Sequence, residues 1–119
     1  MDTLLAAELL AALGHESRLT IFRLLVEAGS EGMYVGTIGE TTEMASATLS
    51  FHLAHLSRVG LIKGQREGRF IRYSTNYGTM DDLIAFLTNN CCHGSPCLTK
   101  TTTCDTTINS RDAARKDEK

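Results

Sequence analysis

The sequence predicts a mainly α-helical domain with one small β hairpin, and three observations support this fold class. Apolar residues recur at helical spacing in several separate segments before residue 90. Two β-like stretches flank a glycine that suits a tight turn. Beyond residue 98 almost nothing is apolar, so that part cannot bury enough surface to fold. We therefore predict one domain over 1–90 and a tail over 91–119 that is disordered beyond its cysteines.

Two amphipathic helices are predicted at the start of the chain, over 3–13 and 16–28. In the first, the expected buried stripe is formed by leucines four residues apart: Leu5, Leu9 and Leu13. In the second, the expected buried residues are Leu19, Phe22, Leu25 and Val26. Gly29 follows, and a glycine just past the last turn commonly ends a helix.

A loop with an extended pair at Tyr34 and Val35 leads to a short helix over 37–41 and a stronger helix over 46–59. The stronger helix places three leucines on one face: Leu49, Leu53 and Leu56. Its opposite face carries Ala47, Phe51, Ala54 and Arg58, with Thr48, Ser50 and His55 on its flanks. Phe51 is the one large apolar residue of this face and has no core to join, so it requires an explanation.

A hairpin and a last helix complete the predicted domain. Strands are expected over 61–66 and 69–74, because they flank Glu67 and Gly68 and a glycine there supplies the positive φ of a tight turn. The last helix is expected to begin at Thr79, with Asp82 three residues on as in a capping box. Its apolar stripe consists of Met80, Leu83, Ile84 and Leu87, and it should end near residues 89–90.

The charge distribution points to a nucleic-acid partner, although the net charge is only −2. Residues 58–72 contain five basic side chains and only one acidic one, Glu67, whereas residues 1–45 are strongly acidic. A basic surface on an acidic body is typical of a protein that contacts phosphates at one face. A short helix, a turn, a helix with a polar outer face and a basic hairpin together predict a winged helix-turn-helix that binds DNA.

Four segments carry a family resemblance: residues 12–19 (ALGHESRL), 46–56 (SATLSFHLAHL), 60–62 (GLI) and 66–69 (REGR). In this order and spacing they resemble the ArsR (ArsR/SmtB) family of bacterial metal-responsive repressors, over roughly residues 3–90. The resemblance implies a homodimer, with the first and last helices at the subunit interface, that binds double-stranded operator DNA. The apolar character of these two helices is a separate reason to expect a dimer, and a two-fold axis matches two half-sites.

The expected DNA contacts fall on the fourth helix and the hairpin. The resemblance implies recognition residues at Ser46, Ala47, Thr48, Ser50, Phe51 and His52. A phenylalanine at position 51 departs from the commoner polar residue of the family, and it could contact a thymine methyl group. His55 on the same helix is expected to contact base or phosphate. The hairpin arginines suit phosphates, which fix register without reading sequence: Arg66, Arg69 and Arg72.

All four cysteines follow the last predicted helix, at positions 91, 92, 97 and 104. Cys91, Cys92 and Cys97 place three thiols within seven residues, and three thiolates suit a soft, three-coordinate ion. As(III) or Sb(III) fits that description and agrees with the resemblance, so we expect one of them as the inducer. Cys104 is set apart by a threonine run and is a weaker candidate. No cofactor is expected to be needed for folding.

Other chemistries of the cysteines remain open. Zinc could be bound by the same three cysteines with His93, although adjacent cysteines lack the usual spacer of zinc sites. Cadmium, lead or a thiol redox switch are further alternatives. The cysteine pair that the family commonly carries before the recognition helix is missing from 35–41, and the last helix lacks the histidines of other members. The tail cluster is therefore the expected sensor.

The sequence also indicates what the protein is not. No apolar run approaches the length of a membrane-spanning helix. The acidic residue Glu8 interrupts the apolar N-terminal stretch, whereas the corresponding region of a signal peptide is apolar throughout. We therefore expect a cytoplasmic protein without a membrane partner. No glycine-rich phosphate loop leads from the cysteines into a helix, which argues against a thiol-dependent reductase. An enzyme is not expected.

Overall fold

The computed structural model describes residues 1–89, which form five helices and a three-stranded antiparallel sheet. The helices are α1 (Thr3–Leu13), α2 (Glu16–Ala28), α3 (Val35–Thr42), α4 (Ser46–Arg58) and α5 (Tyr77–Leu87). The strands are β1 (Met33–Tyr34), β2 (Ile62–Glu67) and β3 (Phe70–Thr75), and a 3₁₀ turn at Gly29–Glu31 follows α2. The predicted fold class, mainly α with a small β hairpin, is confirmed.

The first helix has the predicted bounds but a different buried face. Its N-terminus is capped by Asp2, whose carboxylate accepts a 2.9 Å hydrogen bond from the Leu5 N–H. The buried residues of α1 are Ala6, Leu9 and Ala12, and Leu5 is exposed, so the predicted leucine stripe is wrong in part. Because almost every residue of α1 is apolar, leucine spacing does not single out a face. The small alanines allow a neighbouring helix to approach closely.

The second helix also has the predicted bounds, with one error in its buried face. Phe22 and Leu25 are buried as predicted, but the third buried residue is Ile21 and Leu19 is exposed. The next two helices form the helix-turn-helix unit. Its turn contains Glu43, whose φ of 59° is left-handed and whose N–H donates to the Gly39 carbonyl at 2.8 Å. This residue closes α3 and redirects the chain into α4.

The inner face of α4 is confirmed, since all three predicted leucines are buried: Leu49, Leu53 and Leu56. They join Ile38 of α3 and residues of α1 and α2 in one hydrophobic core. The core therefore lies directly behind α4 and holds one face of the helix inward. The opposite face of α4 is left free.

The hairpin of β2 and β3 forms the wing, one residue later in each strand than predicted. Glu67 pairs with Phe70 at its end, and Gly68 in the turn has a φ of 64°. β1 adds a third strand on the other side of β3, with Met33 opposite Tyr73. The predicted extended pair at 34–35 therefore lies one residue earlier and belongs to the sheet.

The last helix begins two residues before the predicted start. The side-chain oxygen of Asn76, rather than Thr79, caps it by accepting from the Thr79 N–H at 3.4 Å. Tyr77 ties the start of α5 to α2, because its hydroxyl donates to the Val26 carbonyl at 3.2 Å. Among residues 1–89, no helix is both long and apolar enough to cross a membrane. The predicted tail and its cysteines lie outside the described residues.

Candidate nucleic-acid interface

The outer face of α4 is a solvent-exposed surface of small and polar residues around one aromatic ring. Phe51 is 66% exposed. The predicted contact residues that share its exposure are Ser46, Ala47, Thr48 and Ser50. Hydroxyl groups can donate to or accept from base edges, and an aromatic ring can contact a thymine methyl group. The structure thus brings five of the predicted recognition residues to one exposed surface.

The N-terminus of α4 adds a feature that the sequence analysis missed. Ala45 precedes the helix, and no side chain caps its first turn. The N–H groups of this turn are therefore available to an outside acceptor, and a DNA phosphate is a suitable one. The sequence does signal this feature, because an alanine stands at position 45 where a capping Ser, Thr, Asp or Asn is commonly found.

His52 does not lie on this surface, which corrects its predicted role in DNA contact. Its side chain is only 5% exposed and faces the body of the domain. Its Nδ1 lies 3.4 Å from Nη1 of Arg18. Burial, followed by the charges of His15, Arg18 and His55, lowers the pKa of His52 below its ordinary value. A neutral, inward ring cannot contact a base.

His55 lies at the edge of the exposed face rather than at its centre. It is half-buried and lines a shallow hollow with residues of α1 and the end of α4, namely Leu5, Glu8, Ala11, Arg58 and Val59. Burial lowers its pKa first, and the charges of Arg18 and Arg58 lower it further. Its predicted DNA contact is therefore possible only from the flank of α4.

The wing exposes two of its three predicted phosphate contacts. Arg66 and Arg69 are exposed on either side of the turn, and Arg66 makes a long 3.4 Å contact with the Gly68 carbonyl. Arg72 is engaged elsewhere, which corrects its predicted role. Its guanidinium donates through Nε and Nη2 to the carboxylate of Glu67, and through Nη1 to the Glu31 carbonyl at 2.6 Å.

We call the group formed by Tyr34, Glu67, Arg72 and the Glu31 carbonyl the wing clamp. Tyr34 donates its hydroxyl to Oε1 of Glu67 at 2.6 Å, so the carboxylate accepts from two residues, Tyr34 and Arg72. These hydrogen bonds, that of Tyr34 foremost, hold the pKa of Glu67 below its ordinary value. The same bond and the negative charge of Glu67 raise the pKa of Tyr34. The clamp fastens the wing to β1 and the 3₁₀ turn.

A hollow of about 310 Å³ separates the wing from α4. Its lining includes Ser50 and Ala54 of the helix and Arg69 and Phe70 of the wing. Phe70 is largely exposed and meets Tyr34 edge-on, with ring centroids 6.2 Å apart. α4 and the basic wing thus lie side by side on one surface, as a DNA interface requires.

No group of three or more metal-ligating side chains comes together within residues 1–89. The predicted ligands Cys91, Cys92 and Cys97 lie outside the described part of the chain. Their role therefore stays a prediction.

Comparison of the sequence with known proteins identifies relatives of one kind. A family described as "Helix-turn-helix domain" matches residues 13–65. The HTH-type transcriptional regulator YgaV of Escherichia coli (strain K12) is 37% identical over 87 residues, which are 73% of this chain and 86% of YgaV. The family match includes all of α3 and α4 and ends within β2.

Comparison of the structure gives the same result. HlyU from Vibrio cholerae N16961 superposes with a TM-score of 0.61 and 28% identity, over 78% of this chain and all of HlyU. The homodimeric winged helix-turn-helix DNA-binding domain Mb0332 from Mycobacterium bovis, described as a possible ArsR-family regulator, has a TM-score of 0.59 and 28% identity. That match covers 71% of this chain and 75% of Mb0332.

Proposed function

The chain belongs to the ArsR/SmtB family of winged helix-turn-helix transcriptional regulators, and on that basis we propose that it represses transcription by binding operator DNA as a homodimer. It is a DNA-binding transcriptional regulator and not an enzyme. The proposal further includes As(III) or Sb(III) as the inducer that releases the protein from DNA.

One observation carries the proposed mode of DNA binding, namely the exposed face of α4 around Phe51. Phe51 is 66% exposed on a helix face otherwise formed by hydroxyls and alanines, so its ring is available to a thymine methyl group. α4 would enter the major groove with Phe51 against base edges, and Arg66 and Arg69 of the wing would contact phosphates. The wing clamp would hold those two arginines at a fixed distance from α4.

The homodimer is supported by apolar residues that the single chain leaves in water. Leu4 and Leu10 of α1 and Leu87 of α5 are exposed. These are the first and last helices, which are in contact with each other in the domain. A second copy related by a two-fold axis would cover such leucines and place two α4 helices on two half-sites. The relative Mb0332 is itself homodimeric.

The proposed inducer site consists of Cys91, Cys92 and Cys97, which follow α5 directly in the sequence. The donor set fits a soft ion that takes three sulfur ligands. Binding of the ion by these thiolates would constrain the chain at the end of a subunit-interface helix. A coupling of about 1–3 kcal/mol between the two sites lowers DNA affinity by roughly 5–150-fold.

Fluorescence anisotropy of the reduced protein on the DNA upstream of its own gene tests both parts of the proposal. We expect tight binding that arsenite abolishes, and loss of this response in Cys91→Ser, Cys92→Ser and Cys97→Ser. Cys104→Ser is the matched control and should respond like the wild type.

The remaining outcomes separate the parts. Tight binding that arsenite leaves unchanged, but that zinc, cadmium, lead or peroxide weakens, would keep the regulator and replace the inducer. A normal arsenite response in Cys91→Ser or Cys97→Ser would reject the site. Absence of any binding to upstream DNA would reject the proposed repressor.

A further inference from the structure

We propose that Arg18 and His52 form a polar strut that sets the orientation of α4, so that two inward-facing residues determine DNA affinity without contacting DNA. The inference rests on the proposed function, because it concerns how α4 is presented to an operator. Both are positioning residues.

The guanidinium of Arg18 joins three helices. Arg18 lies in the first turns of α2, and its Nε donates to the Ala12 carbonyl in the last turn of α1 at 2.8 Å. Its Nη1 lies 3.4 Å from Nδ1 of His52, in the middle of α4. Carbonyls in the last turn of a helix lack partners within that helix, so Arg18 satisfies one of them while it reaches α4. A planar guanidinium can make both contacts at a fixed angle.

The ring of His52 is enclosed by basic groups. Its centroid lies 4.8 Å from that of His15, which precedes α2, and the two rings are inclined at 51°. The charged or titratable groups that act on His52 are His15 before α2, Arg18 on α2 and His55 on α4 itself. In this setting a neutral imidazole can accept a hydrogen bond from Arg18. A protonated imidazole cannot accept at Nδ1 and places a second positive charge beside the guanidinium.

This contact supplies what the hydrophobic core cannot. Leu49, Leu53 and Leu56 hold α4 against the core, but apolar packing is not directional and tolerates a small rotation of the helix. A hydrogen bond to the inner face is directional and resists it. Phe51 is next to His52 in the chain, and their rings meet edge-on at 5.6 Å. Rotation of α4 about its axis would therefore turn Phe51 away from the bases.

The strut also connects the proposed subunit interface with α4. One end lies on α1, which in the proposed dimer contacts the second copy, and the other end lies on α4. A change in the position of α1 would thus reach α4 through one side chain.

The experiment compares Arg18→Gln and His52→Gln with Arg23→Gln in anisotropy titrations on upstream DNA. Arg23 is the matched control because it lies on α2, its replacement removes the same charge, and its ion pair within residues 1–89 is an exposed one with Glu27. We expect Arg18→Gln and His52→Gln to weaken DNA binding about ten-fold or more, as loss of a charge-assisted hydrogen bond does. Arg23→Gln should change it less than two-fold. The double variant should resemble Arg18→Gln, because loss of Arg18 already removes the contact that His52→Gln removes.

The pH dependence of DNA binding separates the proposed role of His52 from a purely structural one, because a purely structural role would leave the pH profile unchanged. Because the pKa of His52 is lowered from 6.5, its neutral form is favoured in the folded protein. The contribution of the strut should be complete above 6.5 and lost as the pH falls through the lowered pKa of His52. In His52→Gln, the decrease in DNA affinity at low pH that is due to protonation of His52 should be absent. Any decrease that is due to the other histidines should remain.

Several outcomes would overturn the strut. These are equal DNA affinities of Arg18→Gln and Arg23→Gln, additive effects in the double variant, or an unchanged pH profile in His52→Gln. If Arg18→Gln fails to fold by circular dichroism, the affinity and pH profile of His52→Gln decide. Failure of the wild type to bind DNA would instead reject the proposed function itself.

Discussion

Tyr34 donates its hydroxyl to Glu67 over 2.6 Å, and this bond ties β1 to the only acidic residue of the basic segment 58–72. The same carboxylate accepts from Arg72, which in turn holds the Glu31 carbonyl. The wing is therefore held at its base by charged and polar contacts, while Arg66 and Arg69 at its end stay in water.

The wing clamp predicts that DNA affinity depends on residues that do not contact DNA. Tyr34→Phe and Glu67→Gln each remove a bond of the clamp, so the wing should move more freely and its arginines should bind phosphate less well. We expect a several-fold loss of affinity for upstream DNA, measured by anisotropy. Glu40→Gln, an exposed carboxylate of α3, is the control for the change in charge. Unchanged binding by both clamp variants would show that the wing needs no such support.

The clamp also predicts how stability depends on pH. The pKa of Glu67 is lowered, so its contribution is complete above the ordinary value of 4.5 and lost as the pH falls through the lowered value. The pKa of Tyr34 is raised, so its contribution is complete below 10.0 and lost as the pH rises through the raised value. In thermal unfolding, Glu67→Gln should flatten the loss of Tm below pH 4.5, and Tyr34→Phe the loss above pH 10.0. Parallel curves for variants and wild type would contradict this.

Two neighbouring residues of α4 should separate binding from stability. Phe51→Ala removes an exposed ring, so we expect a change of less than about 0.5 kcal/mol in the free energy of unfolding. It should nevertheless weaken operator binding by roughly ten-fold, a loss similar to that of one mismatched base pair, which costs about 1–3 kcal/mol. Leu53→Ala empties a fully buried site and should cost about 2–5 kcal/mol of stability. Denaturant unfolding and anisotropy measure the two effects, and a large loss of stability in Phe51→Ala would show that its ring is packed.

Two glycines with the same backbone conformation isolate a steric effect. Gly29 and Gly32 have φ, ψ values of 77°, −162° and 70°, −160°, a region that essentially only glycine occupies. Gly29→Ala should therefore cost about 1–3 kcal/mol from backbone strain alone. Gly32→Ala should cost clearly more, because its Cβ would overlap the carbonyl of Tyr73, whereas nothing lies near Gly29. Equal losses in denaturant unfolding would mean that β3 yields to the added methyl group.

The predictions from sequence were accurate where residue types alternate sharply. On α4 the three leucines stand against hydroxyls and alanines, so their spacing identifies the inner face. On α1 almost every position is apolar, and the choice between Leu5 and Ala6 depends on how closely α2 approaches. That distance is a property of the packed domain and not of the local pattern.

The same limit applies to the candidate site. Arg66, Arg69 and Arg72 are alike in sequence, and a shift of one residue in hairpin register decides their roles. The predicted turn at Glu67 and Gly68 leaves Glu67 out of the strands. In the observed register Gln65 lies opposite Arg72, so Glu67, two residues further along β2, is the diagonal neighbour of Arg72 on the same face.

Tyr34 and His52 show the second cause of error, which is distance along the chain. The partner of Tyr34 is 33 residues away and that of His52 is 34 residues away. No periodicity reports such contacts. The one available sign was Glu67 itself, the single acidic residue among the five basic residues of 58–72.

The most direct test of the central claim is an amide NMR titration of isotope-labelled protein with a duplex from the upstream region of its own gene. If α4 and the wing bind the DNA, the largest changes in amide chemical shift should fall on the exposed residues of 46–58 and on 66–70. The exposed residues of 20–30 should show much smaller changes. The same titration with Phe51→Ala should need a higher DNA concentration and give the same pattern. Shifts absent from 46–58, or spread evenly over the domain, would contradict the account.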